Sequence, residues 1–272
     1  MSLDVGTDNR TLLNDPLYMG YRARRLRGAA YRELIEAFVR GVEEVWPGCI
    51  IQWEDFKGPN ALRILGHFRQ RVPSFNDDVQ GTAAVTVAGI YAAARKRERK
   101  ITDLRFVLAG AGAAGIGIAR LLRRALAHEG LSSEEIDSRL ALLDSRGLVH
   151  SGRTDLDEYK QEVAISSERV HQLGLSLAGD DHTRLCEVIR AIRPDVLVGT
   201  TGQPGSFDQC VIGEMAEATA EPIVFALSNP SRRVEAPPSD ILAWSDGRAV
   251  VATGSPFAPV SWKGAQRPIG QA

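Results

Sequence analysis

The sequence lacks the marks of a membrane, nucleic-acid or metal-thiolate protein. No apolar run reaches the ~18 residues a spanning helix needs, and the N-terminus lacks the basic-then-apolar order of a signal peptide. Net charge is −1, so the basic surplus of a nucleic-acid binder is missing. The arginines are scattered apart from the run Arg95–Lys100, which reads as a solvated helix end. There are 3 cysteines, Cys49, Cys186 and Cys210, far apart in the chain. No CxxC pair or adjacent histidine accompanies them, so neither a zinc site nor a disulfide framework is expected. Cys186 and Cys210 read as core residues on inward helix faces. No internal repeat or low-complexity tract appears. What remains is a globular, cytoplasmic protein of 272 residues, 44% hydrophobic and 25% charged, long enough for one large or two modest domains.

Hydrophobic spacing gives the elements. Leu3–Thr7 reads as a strand running into a turn with no lead-in, as in a chain cut from something longer. Ala30, Tyr31, Leu34, Ile35, Phe38, Val39 and Val42 recur at helical spacing over 29–45. Ile50, Ile51 and Trp53 form a short strand ending in Glu54-Asp55, and a helix follows over about 60–71. A helix from about Val79 to Arg95 is rich in small residues (Gly81, Ala83, Ala84, Ala88, Gly89) and is expected to be buried. From Arg105 the rhythm becomes strand–helix: strands at 106–109, 140–143, 196–198, 223–227 and 249–252, with helices between. A polar stretch lies over 150–180. Short apolar strands alternating with helices imply a doubly wound α/β fold, its parallel sheet covered on both faces.

Gly110-Ala111-Gly112-Ala113-Ala114-Gly115 is a G-x-G-x-x-G that follows a strand and opens a helix. Gly110 permits the tight turn, Gly112 lets backbone approach a pyrophosphate, and Gly115 lets helix and strand pack closely. The phosphates then meet the free N–H groups at the helix start. Asp144 ends the next strand, where a carboxylate accepts hydrogen bonds from the adenosine ribose of NAD. It lies further from Gly115 than the usual ~20 residues, which a helical insert over 129–139 accounts for. Ser145 and Arg146 follow at once and suit a 2′-phosphate, which favours NADP. The residues leave NAD against NADP open.

Glu54-Asp55 and Asp77-Asp78 are acidic pairs at breaks between elements. Oxygens of this kind hold a hard divalent cation, Mg²⁺ or Mn²⁺, which polarises a carbonyl and stabilises a developing enolate. The competing reading is helix capping by Asp77 or Asp78.

The surrounding residues resemble malic enzymes. The resemblance rests on Ile51-Gln52-Trp53-Glu54-Asp55-Phe56, on Phe75-Asn76-Asp77-Asp78-Val79-Gln80-Gly81-Thr82-Ala83, and on the Gly110 turn. Asp4–Asn9, Asp15–Gly20, Asp144–Val149, Phe225–Pro230 and Gly254–Phe257 extend it over almost the whole chain. It implies oxidative decarboxylation of malate to pyruvate and CO₂, with hydride passing to NAD or NADP and a divalent metal assisting. By the same resemblance Glu54, Asp55 and Asp78 are metal ligands and Asp77 supports the acid–base machinery. Asn229 contacts the substrate carboxylate, and residues Gly110 to Gly115 with Asp144 bind the dinucleotide. Lys160 aligns with a lysine used against the 2′-phosphate, or is a plain surface lysine; the lean is to NADP. The histidines His150, His171 and His182 match nothing and read as solvated.

The resemblance also implies a division into part of an N-terminal substrate and metal domain over 1–75 and an NAD(P)-binding domain over 76–272 without its final helices. The family's catalytic tyrosine and lysine, and its malate-gripping arginine, find no match here. The chain by itself is therefore expected to be nearly inactive, as a gene fragment or one piece of a split gene, its parent a homo-oligomer. Malolactic enzyme shares these motifs and is the close alternative. A non-catalytic dinucleotide-binding fragment is the second. An amino-acid dehydrogenase would not explain two acidic pairs ahead of the Gly-rich turn.

Overall fold

The computed structural model describes residues 1–175 and 183–272, apart from the side chains of 183 and 184. The chain forms two compact units, Met1–Ile51 with Arg69–Pro73, and Gln52–Phe68 with Ser74–Ala272. In the first, α1 (Arg10–Asn14) is capped by Asn9, whose side chain accepts from Thr11 N. Helix α2 (Gly28–Val45) buries Ile35, Val39 and Val42, as its spacing requires. Arg71 ion-pairs with Glu36, and at 3.1 Å with Glu43. Leu3–Thr7 forms no strand, contrary to expectation: it makes isolated bonds from Thr7 N to Ala23 O and from Leu26 N to Val5 O. Asp4 ties Gly6 N and Tyr21 N, so side-chain bonds replace a regular ladder here.

Strand β1 (Ile51–Trp53), all but its first residue in the second unit, runs beside β2 (Ser74–Asn76), with α3 (Gly58–Phe68) between them in sequence. A π-helical turn, Asp77–Gly81, leads into α4 (Thr82–Lys96). Then come β3 (Phe106–Ala109), α5 (Ala113–His128), α6 (Ser133–Arg139), β4 (Leu140–Asp144) and β5 (Gly147–Leu148). The polar stretch carries α7 (Glu158–Gln161) and α8 (Ser167–Gln172). Helix α9 (Thr183–Ile192), β6 (Val196–Gly199), α10 (Gln209–Ala218), β7 (Ile223–Ala226), α11 (Pro238–Trp244) and β8 (Val250–Thr253) follow. The end is a hairpin of β9 (Val260–Trp262) and β10 (Ala265–Arg267), then β11 (Gly270–Gln271).

The main sheet has the order β11-β8-β7-β6-β3-β4-β5. It is parallel except for β5, which pairs antiparallel with β4 at one edge. Successive strand residues point to opposite faces. Phe106, Leu108, Leu142, Val198 and Phe225 pack on one side with Ile90 of α4 and Ile116, Leu122 and Leu126 of α5. Val107, Ala109, Leu143, Leu197 and Val224 pack on the other with Ile189 of α9, Met215 of α10 and Ile241 of α11. This is the doubly wound α/β dinucleotide-binding architecture the alternation implied. No described helix is long and apolar enough to cross a membrane.

Four further expectations need correction. Helix α4 is one-sided: Ala84, Val85, Ala88 and Ala92 are exposed, because only its other face meets α5 and the sheet. Cys186 and Cys210 form a disulfide joining α9 to α10, and Cys210 is exposed. The two helices pack side by side, a proximity that linear spacing does not reveal. His150 is buried, its Nδ1 accepting from Gly152 N, while His171 is exposed and His182 lies outside the described residues. In the run Arg95–Lys100, the Arg97 side chain is only 5% exposed, 3.4 Å from Glu221, and Arg99 pairs with Asp195.

Candidate functional site

The parallel order changes direction between β3 and β6, and ligands of such sheets bind beyond the carboxyl ends of the strands at that point. A cleft of about 330 Å³ opens there. Its lining includes Gly110, Ala111 and Gly112 after β3, Asp144 and Ser145 after β4, Thr200 and Thr201 after β6, and Lys160. Gly110 has φ +112°, and a methyl group on it would meet Thr200 O at 2.6 Å. A Cβ on Gly115 would come within 1.7 Å of Gly110 O, so the turn admits only glycine at both positions. Ala113, Ala114 and Gly115 form the first turn of α5 instead of the cleft wall, and Arg146 points to Asp155, 3.0 Å away.

Asp144 is held from every side. Arg153 approaches it with two nitrogens, at 2.8 and 3.0 Å, and Lys160 Nζ lies 2.6 Å from Oδ2. Arg146 N donates to Oδ1 at 2.9 Å. The Asp144 and Arg153 side chains are 6% and 10% exposed. Burial pushes the Asp144 carboxyl up, but the bonds from Arg153 and Lys160 more than offset it and hold it below the usual carboxylate range. Arg153 gave no signal in the sequence, since its partnership with Asp144 depends on the β4–β5 turn folding back. Thr200 and Thr201 could have been found, as they directly follow a parallel strand.

The second constellation is acidic. Glu54, Asp55 and Asp78 bring one carboxylate oxygen each within 4.8 Å of one another. Asp55 takes φ 60°, a left-handed conformation costly for a residue other than glycine. Asp78 is raised above the usual carboxylate range, by burial first and by the repulsion of Asp55 next, while the backbone N–H groups of Asp55 and Phe56 lower it. Its Oδ2 is buried with no hydrogen-bond partner. Glu54 is also raised, by burial and then by Asp78, Asp77 and Asp55. Capping does not explain the pair Asp77-Asp78, because Asn76 is the cap: its Oδ1 accepts from Val79 N at 2.9 Å. Converging carboxylates, one with a buried unsatisfied oxygen, have the donor chemistry of a hard divalent cation site.

The acidic cluster and the Gly-rich turn belong to one packed region. A methyl group on Gly58, just beyond Asp55, would lie 3.3 Å from Ala113 N. On Gly117 it would meet Val79 O at 2.1 Å, so α5 sits tightly against the turn that carries Asp77 and Asp78. Asn229 follows β7 and is exposed.

Comparison with known proteins gives the family. Residues 79–272, more than half of the chain, match the family description "Malic enzyme, NAD binding domain". Residues 1–69 match "Malic enzyme, N-terminal domain". The chain is 43% identical over 273 aligned residues to the NAD-dependent malic enzyme of Erwinia tasmaniensis, and 41% over 269 to that of Colwellia psychrerythraea. Each alignment covers 99% of this chain but 47% of the relative, so the chain spans about half their length. Among solved structures, Entamoeba histolytica malic enzyme superposes with a TM-score of 0.65 at 26% identity, covering 84% of this chain and 42% of that one. The NAD-dependent malic enzyme of Thermotoga maritima gives 0.62 at 26%, covering 87% and 55%. The chain belongs to the malic enzyme family.

Proposed function

We propose that this chain supplies the metal and cofactor side of a divalent-metal-dependent oxidative decarboxylation of (S)-malate to pyruvate and CO₂. The observation that carries the reading is the convergence of Glu54, Asp55 and Asp78 beside a Gly-rich turn that opens a dinucleotide cleft. Those three carboxylates would hold Mg²⁺ or Mn²⁺, which supplies Lewis-acid polarisation of the substrate oxygen and stabilisation of enolate charge. NAD, when bound, accepts the hydride. Asp77, next to the cluster, supports proton handling, and Asn229 orients the substrate through a hydrogen bond to its carboxylate. Residues 1–75 belong on this reading to the substrate and metal domain, and 76–272 to the dinucleotide domain.

NAD is proposed over NADP. A carboxylate at the end of β4 accepts ribose hydroxyls and repels a 2′-phosphate, and Asp144 is fixed there by Arg153. Lys160, which on sequence grounds leaned toward NADP, spends its charge on Asp144.

Calorimetric titration of the purified chain with NAD, NADP and Mn²⁺ tests the reading. NAD should bind more tightly than NADP, and Mn²⁺ should bind at one site. A chain that takes up neither dinucleotide nor cation would overturn it. The cytoplasmic setting and the homo-oligomeric parent go with the same proposal.

A further inference from the structure

Glu235 takes no part in the cofactor turn or the acidic cluster, yet it is fully buried, with 0% exposure. Its Oε1 accepts from Thr201 N at 2.7 Å, from Thr201 Oγ1 at 3.0 Å and from Ser228 Oγ at 2.5 Å. Oε2 accepts from Ser228 N at 3.3 Å. Ser228 Oγ in turn accepts from Gly202 N at 2.8 Å, and Thr201 Oγ1 from Gln203 N at 3.0 Å. The Glu235 carbonyl takes Gly205 N at 2.8 Å as well. Among the described residues no lysine or arginine pairs with this carboxylate. Room for it comes from Gly199, the last residue of β6: a methyl there would lie 2.7 Å from Glu235 Cδ.

A burial this complete, satisfied only by donors from two loops, fixes those loops to each other. Thr201 and Gln203 line the cleft. Ser228 directly precedes Asn229. We infer that Glu235 is a positioning residue, locking the β6 wall of the dinucleotide cleft to the loop that presents Asn229 and so setting cofactor and substrate contacts in one register. This rests on the proposed function for the roles of the two loops. The hydrogen-bond link itself does not depend on it.

Glu235→Gln is the discriminating variant. It keeps shape but turns an NH₂ toward donors, so Thr201 N or Ser228 N loses its acceptor. NAD affinity should fall about ten-fold. Hydrogen exchange in the ligand-free chain should quicken together over 200–207 and 228–230, with β3 unchanged. Glu235→Asp should recover part of both effects. A merely stabilising role would lower the melting temperature and raise exchange across the sheet, leaving affinity unchanged in the folded protein; that result, or wild-type exchange in both loops, overturns the inference. Should Glu235→Gln fail to fold, Ser228→Ala decides, with an expected three-fold weakening (about half the logarithmic effect, for one bond of several) and the same paired exchange. Absence of NAD binding in the wild type would count against the proposed function, and exchange would still decide the role of Glu235.

Discussion

Asp144 carries four hydrogen bonds on two oxygens, three of them from cationic side chains. Its folded pKa lies below the unfolded value of 3.8, so its ion pair contributes stability above that pH, lost as pH falls through the folded value. Urea titrations should show the wild type weakening on acidification below about pH 4. Asp144→Asn should start about 2 kcal/mol less stable, since Arg153 keeps its pair with Asp155 but loses its buried partner, and should weaken less with acid. Parallel acid profiles for the two proteins would refute this. Asp78 runs the other way. Its pKa is raised by burial and by Asp55, so its charge opposes folding in the absence of a cation. Asp78→Asn should therefore melt higher than wild type without metal, and should bind Mn²⁺ at least ten-fold more weakly, a ligand charge being lost. A variant that gains neither stability nor a metal defect sinks the cation site. The acidic residues were legible as a pair of motifs. The resemblance also implied that Glu54, Asp55 and Asp78 share one ion; the backbone that brings them together, the positive φ at Asp55 and the π-helical turn at Asp77–Gly81, was not legible.

At the level of elements, periodicity located most helices and strands, and the physical reason is burial on both sheet faces, which leaves each strand a short apolar run. Where the reading failed, the cause was which distant elements do and do not meet. Helix α4 looked buried from its small residues, yet only one side finds a neighbour. Helices α9 and α10 were separate amphipathic segments in the sequence, and packing brings Cys186 to Cys210. The disulfide closes a loop with a sequence separation of 24. Restricting an unfolded loop of that size is worth about 3 kcal/mol by chain entropy. Urea unfolding with and without dithiothreitol should show a loss of this order on reduction, and Cys186→Ser should reproduce it. An unchanged midpoint would mean that the cross-link contributes nothing to stability.

For the whole molecule, a ligand that binds only the folded chain raises its stability by mass action. NAD at a hundred times its dissociation constant should add about 2.7 kcal/mol, or roughly 5–10 °C in melting temperature. NADP at equal concentration should add less, and a variant with Gly115→Ala, whose methyl group would collide with Gly110 O, should gain little from either. Equal shifts from both dinucleotides would remove the case for NAD. The sequence by itself determined the fold class, the Gly-rich turn and the acidic motifs, because spacing along the chain is what a strand, a helix start and a tight turn require. Only the tertiary structure decided which charges meet. It gave Lys160 and Arg153 to Asp144, the capping role to Asn76, and a buried carboxylate at Glu235 to two loops. Those partners stand from 3 residues apart, for Asn76 and Val79, to 34, for Thr201 and Glu235; Coulomb and hydrogen-bond partners are chosen by distance in space and leave no period in the sequence.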